Sequence, residues 1–258
     1  AMTAARFAEA VEKTPQGKSV NMKLAQLLVD VFRSQSIAVL GNVLIAMGLA
    51  ALIAFGYQYK TGEPLMNADQ IAYQLHSIDP FAGTLWFAAI AGVWLFCSGI
   101  ISGYFDNRSN YLNMRMRLTQ HPLLKKLMSE KTRVKFANYM HENYGSLIGN
   151  LCFGMLLGIT GVVGYLTHLP LDIRHVAFSS ANVGYIAVSG QFTYSLLLQC
   201  IGFVLLIGLV NLVVSFSLTL WVALRSLNAE IESWWPIWHE VCQIVKKRPL
   251  SLFLPVQL

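Results

Sequence analysis

The segment LPLDIRHVAFSSANVGY contains six polar side chains inside one stretch of eleven residues. Side chains of these types can take part in acid–base or ion-pair chemistry. A carboxylate and an arginine this close can pair, and the pair can position the histidine that follows. A histidine beside a carboxylate is a candidate proton relay. The alternative, more common for such a cluster, is that it anchors a hairpin at a membrane interface. The six candidates are Asp172, Arg174, His175, Ser179, Ser180 and Asn182.

Three asparagines lie in otherwise apolar surroundings, at Asn42, Asn150 and Asn211. An amide without a partner in hydrocarbon costs several kcal/mol, so each is expected to bond across to a neighbouring helix. The alternative is that they line a polar pathway.

Composition indicates the environment of these groups. The chain has 258 residues, of which 55% are hydrophobic and 12% are charged, against roughly 25% charged in soluble domains. The helices of a soluble core would still show a polar face. We therefore predict an integral membrane protein.

Four long stretches contain no Asp, Glu, Lys or Arg, and each holds a segment long enough to cross a hydrocarbon core of about 30 Å. The predicted spans are 35–57, 84–105, 145–167 and 195–224. The fold class is therefore all-α, with four transmembrane helices. The apolar run VGYIAVSG, from 183 to 190, is too short to cross and suits a re-entrant or interfacial helix.

The distribution of basic residues predicts the orientation. Seventeen Lys and Arg lie before the first span, in the central loop or in the tail, and two lie in the other loops. By the positive-inside rule, both termini and the central loop are cytoplasmic. This accounts for most of the net charge of +6, which otherwise would suggest nucleic acid.

The first and third spans resemble each other. GNVLIAMGLAALIAFGY at 41–57 and GNLCFGMLLGITGVVGY at 149–165 match at Gly-Asn, Met and Gly-Tyr with one offset of 108 residues. We predict two repeats of parallel topology, each built as span, outer hairpin or re-entrant segment, and span. Transporters often bind substrate where such repeats meet, although a scaffold is equally compatible with them.

Small residues in these two spans predict close helix packing. Gly41, Gly48 and Gly56 lie nearly on one helix face, as do Gly154, Gly158 and Gly161.

The segments outside the spans complete the domain prediction. Leu24, Leu27, Leu28, Val31 and Phe32 have the spacing of an amphipathic helix. Beyond the last span, ESWWPIWHE predicts a helix along the inner leaflet, since tryptophan favours headgroup depth. The predicted domains are an amphipathic cytoplasmic segment (1–34), membrane repeat 1 (35–105), a basic cytoplasmic linker (106–144), membrane repeat 2 (145–224) and a Trp-rich interfacial tail (225–258).

The cysteines do not suggest a metal site. Cys97, Cys152, Cys200 and Cys242 form no CxxC pair, so neither zinc nor a disulfide framework is predicted. No cofactor is predicted either.

Several segments together resemble the C-terminal part of a bacterial inner-membrane family catalogued as site-specific recombinases of the gonococcal Gcr type. They are GNVLIAMGLAALIAFG, DPFAGTLWFAAIAGVWLFCSGIISGYFDNRSNY, GNLCFGMLLGITG, LPLDIRHVAFSSANVGY and GLVNLVVSFSLTLWVALRSL. The likeness covers roughly 34–227. It implies a multi-pass protein of the bacterial inner membrane, cut here from a longer chain.

The family name implies DNA strand exchange, which requires a catalytic set. A tyrosine recombinase needs a His-x-x-Arg element, and none occurs in this sequence. A serine recombinase needs a serine among arginines, and the nearest candidates, Ser179 and Ser180, are predicted on the outer face, away from DNA. The sequence therefore shows no recombinase catalytic set.

Two hypotheses follow. The first is a non-enzymatic module that transports a small or lipidic substrate or acts as a scaffold. The second is a membrane-tethered recombinase with its catalytic residues outside this chain. The expected partners are the lipid bilayer and either further copies of the chain or other envelope proteins, whereas nucleic acid is disfavoured.

Overall fold

The computed structural model describes residues 9, 11, 18–190, 193–228 and 231–252. All regular structure in this part of the chain is helical, and short 3₁₀ turns occupy Pro80–Ala82 and Pro249–Leu252. The α-helices are α1 (Lys18–Thr61), α2 (Ala68–Ile78), α3 (Thr84–Tyr111), α4 (Met114–Gln120), α5 (Pro122–Leu127), α6 (Glu130–Thr167), α7 (Val176–Ala187), α8 (Tyr194–Ser226) and α9 (Trp235–Lys247).

Four of these helices, α1, α3, α6 and α8, are long and apolar enough to cross a membrane. In their most apolar stretches only 17% to 28% of the residues are buried inside the protein. Most of their apolar side chains therefore face outwards, as expected of helices whose solvent is lipid. The predicted all-helical class with four span-like helices is confirmed.

Two of the long helices begin well before the predicted spans. α1 begins at Lys18 rather than 35, and α6 begins at Glu130 rather than 145. Charged residues defined the predicted boundaries, but Lys, Arg and Glu are good helix formers and do not stop a helix. The true start of α6 is marked by Ser129, whose hydroxyl accepts a hydrogen bond from the Thr132 backbone N–H at 3.4 Å.

The described residues form two compact units, one of residues 93–172 and one drawn from 2–92 and 173–258. Each predicted repeat contributes residues to both units. The twofold repeat itself therefore stays a prediction.

In the unit 93–172, α3 and α6 are antiparallel. The Trp94 indole N–H donates to the Thr160 hydroxyl at 2.9 Å, and the Ser98 hydroxyl donates to the Gly149 carbonyl at 3.0 Å. Further along α3, the Asp106 carboxylate accepts from the Gly145 backbone N–H at 3.0 Å. α4 and α5 pack against the same helix, α6.

In the other unit, α1 and α8 run in opposite directions. Leu24 and Leu220 belong to one buried cluster, while a Cβ on Gly208 would touch Val39. The first turns of α3 run parallel to α8, because Ala88 bonds to Asn211 and a Cβ on Gly92 would touch Val214. A larger cluster forms the core; it comprises Val43, Ile78, Ala88, Val176, Val183, Cys200, Val204 and Ile207.

The predicted small-residue faces do not make the close helix contacts within the described chain. A Cβ added at Gly41, Gly48, Gly56, Gly154, Gly158 or Gly161 would meet nothing within 4 Å. This prediction is wrong for contacts inside the chain, because these faces point away from neighbouring helices.

Candidate functional site

The helix α7 is the element that organises the candidate residues. Its 12 residues extend about 18 Å at 1.5 Å per residue, too little to cross a bilayer. α7 packs against α1 and α8 and buries Val176, Ser179, Ser180, Val183, Gly184 and Ile186. A short helix is therefore present, but it spans Val176–Ala187 rather than the predicted run 183–190. Its re-entrant position in the membrane stays a prediction.

Gly184 sets how closely α7 approaches α1. A Cβ at this position would overlap the Met47 carbonyl oxygen and lie 2.9 Å from the Ala50 Cβ. Backbone atoms cannot rotate away as a flexible side chain can. The α1–α7 contact therefore requires glycine here.

Asn211 joins three elements through one buried amide. Its Nδ2 donates to the Ala88 carbonyl at 2.7 Å and to the Arg174 carbonyl at 3.1 Å, and its Oδ1 accepts from the Val176 backbone N–H at 3.1 Å. The side chain is only 2% exposed. The Val176 N–H is one of the donors that a helix N-terminus leaves without an intrahelical partner, so Asn211 satisfies the start of α7.

Arg174 fixes the same segment to the end of α2. Its Nε donates to the Ser77 carbonyl at 2.7 Å, and its guanidinium lies 5.8 Å from the centre of the Phe87 ring. The Ser77 carbonyl also accepts from the Thr84 hydroxyl at 3.0 Å. A cation at a helix C-terminus is favoured by the helix dipole. Arg174 therefore stabilises the turn between α2 and α3.

His175 lies outside the four long helices, immediately before α7, and its ring meets Phe178 edge-on at 5.9 Å. Burial lowers its pKa from 6.5 to about 4. The imidazole is therefore neutral at pH 7. A general acid–base group is most effective with a pKa near the working pH, so this environment does not favour a proton relay.

Ser180 and Asn182, two further candidates on α7, bond within the protein. The Ser180 hydroxyl donates to the Val176 carbonyl at 2.6 Å, and the Asn182 amide donates to Gln74 Oε1 at 2.7 Å. Ser179 is 3% exposed and Ser180 is fully buried. Both serines are thus packed inside the protein, as structural residues are.

Three candidates remain: Asp172, Asn42 and Asn150. Asp172 belongs to the unit 93–172, and its pairing with Arg174 stays a prediction. Asn42 and Asn150 are exposed on α1 and α6, whereas Asn211 is buried.

Sequence reasoning missed the partners of Arg174 and Asn211. Three of them are the backbone carbonyls of Ser77, Ala88 and Arg174 itself, which carry no signal in the residue types. In the described residues, no group of three or more His, Cys, Asp or Glu could hold a metal ion. The polar groups that come together at this site therefore form hydrogen bonds that hold α7, α8 and the start of α3 together.

Comparison with curated proteins and with solved structures finds no significant match. The family described as Site-specific recombinase matches residues 1–255, which confirms the resemblance seen in the sequence. The chain therefore belongs to the site-specific recombinase family.

Proposed function

We propose that the chain is a non-enzymatic scaffold module of the bacterial inner membrane, with both termini in the cytoplasm. The observation that carries this proposal is the buried Asn211 amide, which bonds to Arg174 and Val176 at the start of α7 and to Ala88 in α3. This arrangement favours a fixed framework for binding other envelope proteins or further copies of the chain.

The use of the polar groups supports a scaffold over a transporter. A solute pathway needs polar groups that face a water-filled space. Asn211 and the Nε of Arg174 instead bond to backbone carbonyls of the same unit.

The orientation is supported by the basic loops and by the helix directions. Because α1 runs opposite to α8, the start of α1 and the end of α8 lie on the same side of this unit. The strong excess of basic residues on that side supports a cytoplasmic location for it.

A second candidate, DNA strand exchange, is favoured by the description of the family. Its nucleophile must reach a phosphodiester, and Ser179 and Ser180 are buried in α7. With no His-x-x-Arg in the sequence, strand exchange would depend on residues outside this chain.

Cysteine labelling tests the scaffold. The four native cysteines are first replaced by serine. Ser180→Cys or Leu169→Cys is then introduced, and intact cells that carry each variant are treated with a membrane-impermeant maleimide. We expect labelling at position 169, where Leu169 is 55% exposed, and none at 180, with or without an uncoupler. Labelling at 180 that depends on the proton gradient would favour transport and contradict the scaffold.

The same experiment tests the orientation with Leu127→Cys, a matched change at a leucine that is 76% exposed. This site should label only after the membrane is permeabilised, and labelling from outside would overturn the cytoplasmic assignment. Sequence-specific cleavage of DNA by the purified chain would overturn the non-enzymatic assignment.

A further inference from the structure

An apolar groove of about 760 Å³ lies among α1, α8 and α9, within one unit and away from the Asn211 group. We call it the tail groove. Its volume lies in the range of about 300–1000 Å³ typical of ligand pockets. Representative wall residues are Phe32 from α1, Val213, Phe216 and Trp221 from α8, and Trp238 and Val241 from α9.

The helix α9 has two apolar faces with different roles. Ile237 is fully buried in a cluster with Leu24 and Leu220, which attaches α9 to α1 and α8. Trp238, Val241 and Val245 follow at helical spacing on the side that lines the groove. The attachment to α1 and α8 thus leaves a second apolar face that lines an open space.

The groove has the length and chemistry of an acyl-chain site. Its α8 wall runs from Leu209 to Leu224, which corresponds to about 22 Å at 1.5 Å per residue. Ser217 is the one polar residue among those that line it. Such a wall offers few hydrogen bonds to a peptide or a polar solute but suits a hydrocarbon chain.

Each wall carries a basic residue directly after a lining residue. Arg33 follows Phe32, Arg225 follows Leu224 and Lys246 follows Val245. The Arg225 guanidinium lies 5.9 Å from the centre of the Trp221 ring.

The acidic groups on these elements offset this charge only in part. Asp30 pairs with Arg33 at 2.9 Å, and Glu240 is buried on α9. Glu232 precedes α9, whereas Lys247 and Arg248 follow Lys246. Basic residues therefore outnumber acidic ones in the sequence next to the lining residues, and Arg225 is held against the lining residue Trp221. Such an excess of basic residues attracts an anionic headgroup.

We propose that the tail groove binds an anionic phospholipid, with an acyl chain along the α8 wall and the phosphate at Arg225 and Lys246. Tryptophan side chains at the groove supply the amphipathic rings favoured at headgroup depth. This proposal is independent of whether the chain is a scaffold or a transporter.

Quenching of tryptophan fluorescence tests the proposal, because three of the six tryptophans, Trp221, Trp234 and Trp238, line the groove. Phosphatidylglycerol with a dibrominated acyl chain is titrated into the full chain in detergent. Phosphatidylcholine with the same chain is the reference. We expect saturable quenching, with half-saturation at an about tenfold lower concentration for phosphatidylglycerol than for phosphatidylcholine. This ratio corresponds to a difference of about 1.4 kcal/mol in binding free energy.

Two kinds of variant locate the site. Ser217→Phe fills the groove and should weaken binding about tenfold, whereas Val162→Phe, at an exposed position on α6, should leave it unchanged. Val241→Phe fills the groove from the facing wall and replaces Ser217→Phe if that variant does not fold. Arg225→Gln with Lys246→Gln should remove the preference for phosphatidylglycerol, while Lys125→Gln with Lys126→Gln should keep it.

Three results would overturn the proposal. The first is quenching that rises without saturation, and the second is equal binding by wild type and by folded groove-filling variants. The third is equal affinity of the wild type for the two headgroups, which would exclude selectivity for an anionic headgroup.

Discussion

Replacing Gly184 by alanine is expected to destabilise the protein by about 3 kcal/mol, the upper part of the range for overpacking a close contact. The added Cβ would overlap the Met47 carbonyl oxygen of α1, and a backbone atom moves only if the helix moves. α7 would then separate from α1. We expect the thermal midpoint of the full chain in detergent to fall by about 6–12 °C.

Gly48→Ala is the matched control, since Gly48 follows Met47 directly in α1. Its added Cβ would meet nothing within 4 Å. Alanine is favoured over glycine in a helix by about 0.5–1 kcal/mol, so this variant should melt at or slightly above the wild-type temperature. If Gly184→Ala melts as high as Gly48→Ala, the close α1–α7 contact is wrong.

Replacing Asn211 by alanine is expected to destabilise the protein by about 2–4 kcal/mol, because a buried group left without its partner costs about 1–3 kcal/mol. The Val176 N–H and the Arg174 carbonyl would lose the bonds they make at 3.1 Å to this side chain. We expect a lower thermal midpoint together with faster hydrogen exchange at the Val176 amide.

Asn150→Ala makes the same chemical change at an exposed position on α6. Exposed substitutions usually change stability by less than about 0.5 kcal/mol. Comparable losses in the two variants would show that Asn211 has no special role in holding α7.

The sequence was sufficient to predict the four long helices, because hydrocarbon imposes a length and excludes charge. It did not predict where α1 and α6 begin, since those ends lie outside the apolar stretches and follow helix propensity and the Ser129 cap. A helix in the tail was predicted and is observed, and Pro236 occupies its first turn.

The candidate site was predictable in its residues but not in its bonds. Asn211 and Arg174 stand out as polar groups in apolar surroundings. Their partners are mainly backbone carbonyls, whose positions depend on how the helices pack. The glycine contacts show the same limit, because Gly48 and Gly184 look alike in sequence while only Gly184 faces a neighbouring backbone.

The central claim is that α1, α7 and α8 form one fixed framework rather than the moving parts of a transporter. Spin labels at Tyr59→Cys on α1 and Tyr194→Cys on α8 would report this in a variant whose four native cysteines are replaced by serine. Both positions accept a label, because they are 87% and 78% exposed. The distance distribution between the labels is measured by double electron–electron resonance in lipid nanodiscs and in energised proteoliposomes. The scaffold predicts one narrow population that is the same in both, and two resolved populations that shift with the gradient would contradict it.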